Sequence, residues 1–148
     1  MERTMRLLMM CLILCITASA SALEQADLAG WWRMDLETIT RLTKEELKWD
    51  AERQKNELEE LVADERSGKD VFFKDDTIAF CNKNKVVQKY HYRIFTGDDG
   101  SDRIELAMKF PVTTGVVQVV DITGDAMVFR DPGTKAFIPF RAYMRQKK

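Results

Sequence analysis

From Asp70 onward the chain is broken by turn-forming residues at intervals too short to hold a crossover helix. The breaks fall at Asp75-Asp76, Lys83-Asn84, Gly97-Asp98-Asp99-Gly100, Pro111 to Gly115, Thr123-Gly124-Asp125 and Asp131-Pro132-Gly133. Parallel strands need a connection of about a dozen residues or more, so consecutive strands here must pair antiparallel. Two strands alternate clearly. Val86, Gln88, Tyr90, Tyr92 and Ile94 share one face opposite Lys89, His91 and Arg93, while Ile104, Leu106, Met108 and Phe110 share one face opposite Arg103, Glu105 and Lys109. Six to eight such strands, each apolar on one side, must curl until the sheet closes or nearly closes on itself.

The segment before Asp70 changes period. Ala29 to Met34 reads as a first strand, with Leu28, Gly30, Trp32 and Met34 on one face and Trp31, Arg33 and Asp35 on the other. Leu36, Ile39 and Leu42 have the spacing of a short helix, and Thr43 with Glu46 forms a capping box that would start a longer one. Leu47, Ala51, Gln54, Leu58, Leu61, Val62 and Glu65 lie in one stripe of that second helix, and Gly68 is placed to cap its end. The expected fold is α+β and mainly β: an antiparallel meander forming a barrel or half-barrel, with a helical insertion after the first strand packed on it. The segment from Lys44 to Arg66 is expected to roof the concave side.

Arg3 and Arg6 precede an apolar run from Leu7 to Ile16, and Ala18 to Ala22 carries small residues at the spacing a signal peptidase reads. Residues 1–22 are therefore read as a signal peptide and 23–148 as one domain, exported to the periplasm or secreted. No later segment approaches the roughly 18 continuous apolar residues of a permanent membrane span. Cys11 and Cys15 leave with the leader, so Cys81 has no internal disulfide partner, and beside Phe80 in an apolar strand it reads as a small buried hydrophobe.

The formal net charge is −1, and losing Glu2, Arg3 and Arg6 with the leader makes it −2. Lysines and arginines are interleaved with acids from Glu37 to Lys74, which argues against nucleic acid as a partner. Enzymatic chemistry is not expected. Ser67 and Ser101 lie in no strand-to-helix elbow. With Lys83-Asn84 as a turn, Cys81 sits opposite Val86, which leaves His91 roughly 16 Å away at a strand rise of about 3.3 Å per residue. One histidine and one cysteine cannot build a zinc site, and the turn Asp98-Asp99-Gly100-Ser101-Asp102 lacks the ligand spacing of an EF-hand. No metal or other cofactor is expected.

The aromatic residues carry more. Trp49 falls about 200° around the helix from Leu47, off the buried stripe, at about 100° per residue. It either packs on Leu42 across the helix corner or joins Trp31 as a surface contact. Tyr90, Tyr92 and Gln88 put polar tips among inward apolar side chains, which suits a cavity for an amphipathic molecule. A filled core, with each hydroxyl bonded to backbone, is the alternative.

Gly30-Trp31-Trp32 in the first strand and Phe140-Arg141-Ala142-Tyr143 in the last resemble the calycins, the lipocalin and fatty-acid-binding barrels, and in particular small exported bacterial proteins of lipocalin-like type. The resemblance implies that Trp32 closes one end with Arg141 as its cation–π partner. Helices after the first strand are similar to the fatty-acid-binding branch, where an R-x-Y pair such as Arg141 and Tyr143 grips a fatty carboxylate. Alternation through Ile138, Phe140, Ala142 and Met144 nevertheless points Arg141 and Tyr143 outward. The expectation is a non-enzymatic barrel holding a small apolar or amphipathic, lipid-like ligand, lined by Trp32, Tyr90, Tyr92, Leu106 and Met108. The alternative is an envelope inhibitor or scaffold with a filled core, acting on a protein partner through its outer surface.

Overall fold

The computed structural model describes residues 22–64, 68–108, 116–131 and 138–147. Eight antiparallel strands pair in chain order and close: β1 (Gly30–Met34), β2 (Asp70–Lys74), β3 (Thr77–Asn82), β4 (Lys85–Thr96), β5 (Asp102–Ala107), β6 (Val116–Thr123), β7 (Ala126–Arg130) and β8 (Phe140–Arg145). Closure is made by β1 against β8, with Trp32 opposite Arg145 and Met34 opposite Tyr143. Among the described residues three helices accompany the barrel: α1 (Gln25–Leu28) before β1, and α2 (Leu36–Glu45) and α3 (Ala51–Ala63) between β1 and β2. The leader up to Ser21, the expected helix end at Glu65 and Arg66, Phe110 and the Pro111 to Gly115 turn lie outside the described residues, as do Pro132 and Gly133.

Local chemistry explains the connections. The β2–β3 turn carries Asp75 at φ 52° and the β3–β4 turn carries Lys83 and Asn84 at 48° and 64°. These are left-handed conformations that tight hairpins demand and that Asn and Asp tolerate better than most residues. In the β4–β5 turn, Asp99 accepts from the Ser101 amide and hydroxyl and from Arg103. These contacts, Ser101 first, hold its carboxyl down to about 2. The acidic turn is thus a hairpin closed by its own side chains. A bulge between Phe80 and Cys81 leaves Cys81 opposite Val86, and His91 lies on the outer face with Nδ1 3.4 Å from Asp76.

The barrel is filled at the end where β1 begins. Trp32, Val71, Phe73, Ile78, Tyr92, Ile104, Leu106, Val120, Met127, Phe129 and Tyr143 form one buried cluster with Leu28 of α1, Leu106 and Tyr143 at its upper edge also lining the cavity described below. Phe73 meets Tyr92 edge-on at 5.3 Å, and Phe129 meets Tyr143 at 5.8 Å. The Tyr92 hydroxyl donates to the Asp75 carbonyl at 2.8 Å, and the Trp32 indole donates to the Leu28 carbonyl at 2.7 Å, so α1 plugs this end.

The arginine over Trp32 is Arg145, not Arg141. Its guanidinium carbon is 4.2 Å from the indole centroid, and it donates to the carbonyls of Ala29 at 2.9 Å and Asp27 at 2.6 Å. The reason is register: β8 runs toward the plugged end, so Arg145 pairs with Trp32 whereas Arg141 pairs with Phe129. The phase of β8 is likewise the reverse of the expected one. Phe140 and Ala142 point outward and are buried by Ile39 and Leu42 of α2 and Leu61 of α3. Arg141 and Tyr143 therefore point inward.

The helices also differ from expectation. Thr43 is buried inside α2, where its hydroxyl donates to the Thr40 carbonyl instead of capping a new helix. Glu46 takes a bidentate pair from Arg130 at 2.7 and 2.9 Å. Lys48 at φ 57° turns the chain, and Asp50 caps α3 by accepting from the Arg53 amide. The α2–α3 unit covers the outer face of β8, with only the end of α3 reaching the open mouth, so it is not a roof over the concave side. Gly68 caps no helix: α3 ends at Ala63, and Gly68 lies where an added Cβ would stand 2.6 Å from Phe80 Cβ.

Candidate functional site

Among the described residues, the end of the barrel opposite α1 is not filled. Met34, Phe80, Tyr90, Leu106, Arg141 and Tyr143 project into a cavity of about 330 Å³, with Leu61 and Asp64 at the end of α3 forming one side of its mouth. This volume lies at the lower end of the range for small-molecule sites. The wall is apolar apart from a few converging polar groups, among them Gln88 of β4 and Gln118 of β6.

Two polar residues stand out by position. Arg141 donates from one terminal nitrogen to the carbonyls of Phe140 at 2.9 Å and Ile138 at 3.3 Å. Among the described residues no carboxylate lies within ion-pair distance of it. Tyr143 is 3% exposed, and burial pushes its phenol up to about 12 although Arg141 draws it the other way. Its hydroxyl has no hydrogen-bond partner among the described residues, and the same holds for Tyr90. A neutral phenol and a guanidinium two residues apart on one strand face thus offer hydrogen-bond donors to whatever occupies the cavity.

The residues expected to line the interior separate into three groups. Tyr90 and Leu106 line the cavity. Trp32 and Tyr92 are interior but belong to the filled layer, 0% and 3% exposed. Met108 is not inside: it is 72% exposed and lies just past the end of β5 at Ala107. Trp31 stacks on Phe72 at 4.6 Å on the outer face, half-buried. Trp49 is no surface contact; it is buried in the α2–α3 connection, with Arg53 4.6 Å from its ring.

Sequence reasoning missed the inward direction of Arg141 and Tyr143 and the role of Arg145. No local signal gave it away, because both faces of β8 are covered, the outer by the helices and the inner by the cavity wall.

A second, more open hollow of about 570 Å³ lies between α2 and α3, where Leu36, Leu58 and Val62 are flanked by Lys55 and Glu59. It is a surface groove on the helices, sharing only the end of α3 with the barrel mouth. Among the described residues no helix is long and apolar enough to cross a membrane.

Fold and cavity together define a closed eight-stranded antiparallel barrel, plugged at one end and hollow at the other, of a form compatible with the calycins. No protein-family model matches the chain, and no characterised protein or solved structure is significantly similar to it.

Proposed function

We propose that the protein is a non-enzymatic binding protein that holds a small amphipathic acid in the mouth of the barrel, and that it is a distant calycin acting outside the cytoplasm. The observation that carries the binding role is that Arg141 and Tyr143 share a cavity whose remaining wall is apolar apart from Gln88, Gln118, Tyr90 and Asp64 at the mouth, with no carboxylate among the described residues in ion-pair contact with the guanidinium. A half-buried cation without a counter-charge is costly, and an incoming carboxylate supplies both the charge and two acceptor oxygens. The apolar remainder of the ligand then contacts Met34, Phe80 and Leu106. Helices after the first strand and an arginine over the tryptophan of the plugged end support the calycin relation. The basic, apolar and small-residue segments of 1–22 support export.

The test is calorimetric titration of the purified protein with octanoate and with octanol, repeated on Arg141→Gln. The acid should bind more tightly than the alcohol. The substitution should weaken the acid by about 10- to 100-fold, as expected for a hydrogen bond to a charged group of about 1.5–3 kcal/mol, and leave the alcohol unchanged. Equal affinities in both proteins, or no binding of either, would reject the role. The second reading, an interaction module, draws on the stacked Trp31–Phe72 pair of the outer face; under it, Trp31→Ser with Phe72→Ser abolishes partner capture while octanoate has no effect.

A further inference from the structure

The cavity has a floor, and the floor lies close to the mouth. Side chains two residues apart on a strand share a face, so each wall residue has a successor one layer deeper. Below Phe80 comes Ile78, below Leu106 comes Ile104 and below Gln118 comes Val120, exposed by only 1%, 0% and 3%. All three belong to the packed cluster that fills the rest of the barrel. The Phe129–Tyr143 and Phe73–Tyr92 ring contacts lock the layer from the other strands. Close-packed interiors do not open by a whole layer without large cost, so a chain entering at Arg141 has only one layer of depth to occupy.

We propose that the ligand is a medium-chain carboxylic acid and that Ile104, Val120 and the aromatic pairs beneath the cavity set the upper limit of its length; this rests on the binding role argued above. At roughly 30 Å³ per non-hydrogen atom, the liquid share of one water molecule, a cavity of about 330 Å³ holds about eleven such atoms. That is the size of a saturated acid of about eight or nine carbons, carboxylate included. A sixteen-carbon acid exceeds it by about two-thirds and would leave its tail in water or need the floor to move. Long-chain acids are therefore excluded by depth, whereas much shorter ones bury too little apolar surface to bind well.

The experiment is a titration series of saturated carboxylates from six to sixteen carbons against the purified protein, below their micelle-forming concentrations. Affinity should rise about three- to fourfold with each added methylene, the free energy of burying one such group. It should peak at about eight or nine carbons and fall at least tenfold from that peak by sixteen. Ile104→Ala, which deepens the floor, should move the peak two or three carbons longer. Should that variant fail to fold, the wild-type series still decides. Affinity that keeps climbing to sixteen carbons would overturn the length limit and leave the cavity's binding role standing. Absence of binding at every length by folded protein would overturn both.

Discussion

Replacing Arg145 by Ala should remove the lock on the plugged end of the barrel, and its cost can be worked out contact by contact. The guanidinium covers the face of Trp32, which is 0% exposed, so the cation–π contact is largely desolvated and worth about 1–2 kcal/mol. Two hydrogen bonds, to Asp27 and Ala29 carbonyls, tie α1 to β8. They are solvent-exposed, so about 0.5–1 kcal/mol each is appropriate rather than the full value for a charged donor. The Asp125 carboxylate at 3.6 Å is half-exposed and adds little. The total is about 2–4 kcal/mol, or roughly 10 °C in Tm for a domain of this size. Arg145→Lys keeps the charge but not the planar fork and should recover only part of the loss. Arg141→Ala, which gives up two backbone contacts at the mouth, should cost less than about 1 kcal/mol. The assay is urea unfolding followed by far-ultraviolet circular dichroism. An Arg145→Ala loss within the error of wild type, or an Arg141→Ala loss as large as that of Arg145→Ala, would refute the assignment of the closing arginine.

Three further outcomes follow from the same packing. Phe73→Ala removes a ring that is 1% exposed and in contact with Tyr92 and Phe129, and should cost about 3–5 kcal/mol in urea unfolding, whereas Met108→Ala should stay within about 0.5 kcal/mol. Burial first, then Asp76 and Asp75, pushes the Tyr92 phenol up to about 12, and burial pushes Tyr143 to about 12 as well. Both folded values lie above the unfolded one near 10, so this stability is complete below about pH 10 and lost as pH climbs through 12. Phenolate absorbance should therefore appear together with unfolding in that window, and its gradual appearance in folded protein near pH 10 from all three tyrosines would contradict the burial. Of the three tryptophans, Trp32 and Trp49 are 0% and 7% exposed, so acrylamide should quench chiefly Trp31, and Trp31→Phe should abolish the quenchable fraction.

Much of the barrel was legible because its turns are chemical signals. Asp75-Asp76, Lys83-Asn84 and the Gly97 to Gly100 segment all mark hairpins, and the Cys81–Val86 pairing follows directly from the second of them. Strands with one wet face were easy to phase, as Tyr92 and Ile104 show. β8 was not, because it is covered on both sides: its outer face packs under α2 and α3 and its inner face lines the cavity, so alternation of polarity carries no direction. The apolar face of Phe140 and Ala142 belongs to the helices. The helix break was hidden for a different reason. No glycine or proline marks residues 46–50; Lys48 bears the left-handed turn, and Glu46 is claimed by Arg130, 84 residues further along the chain. Long-range pairing of that kind leaves no local trace. The cavity itself became visible only when the phase of β8 placed Arg141 and Tyr143 beside Leu106 and Met34.

The central claim is that the open mouth of the barrel is the binding site, with Arg141 and Tyr143 at the head of the ligand. Backbone-amide NMR of the protein titrated with octanoate tests it most directly. Saturable shifts should appear at Met34, Leu106, Gln118, Arg141 and Tyr143, while Leu28 and Gly30 at the plugged end and Leu36 and Val62 on the helix groove stay fixed. Shifts confined to the α2–α3 groove, or none at saturating acid, would contradict it.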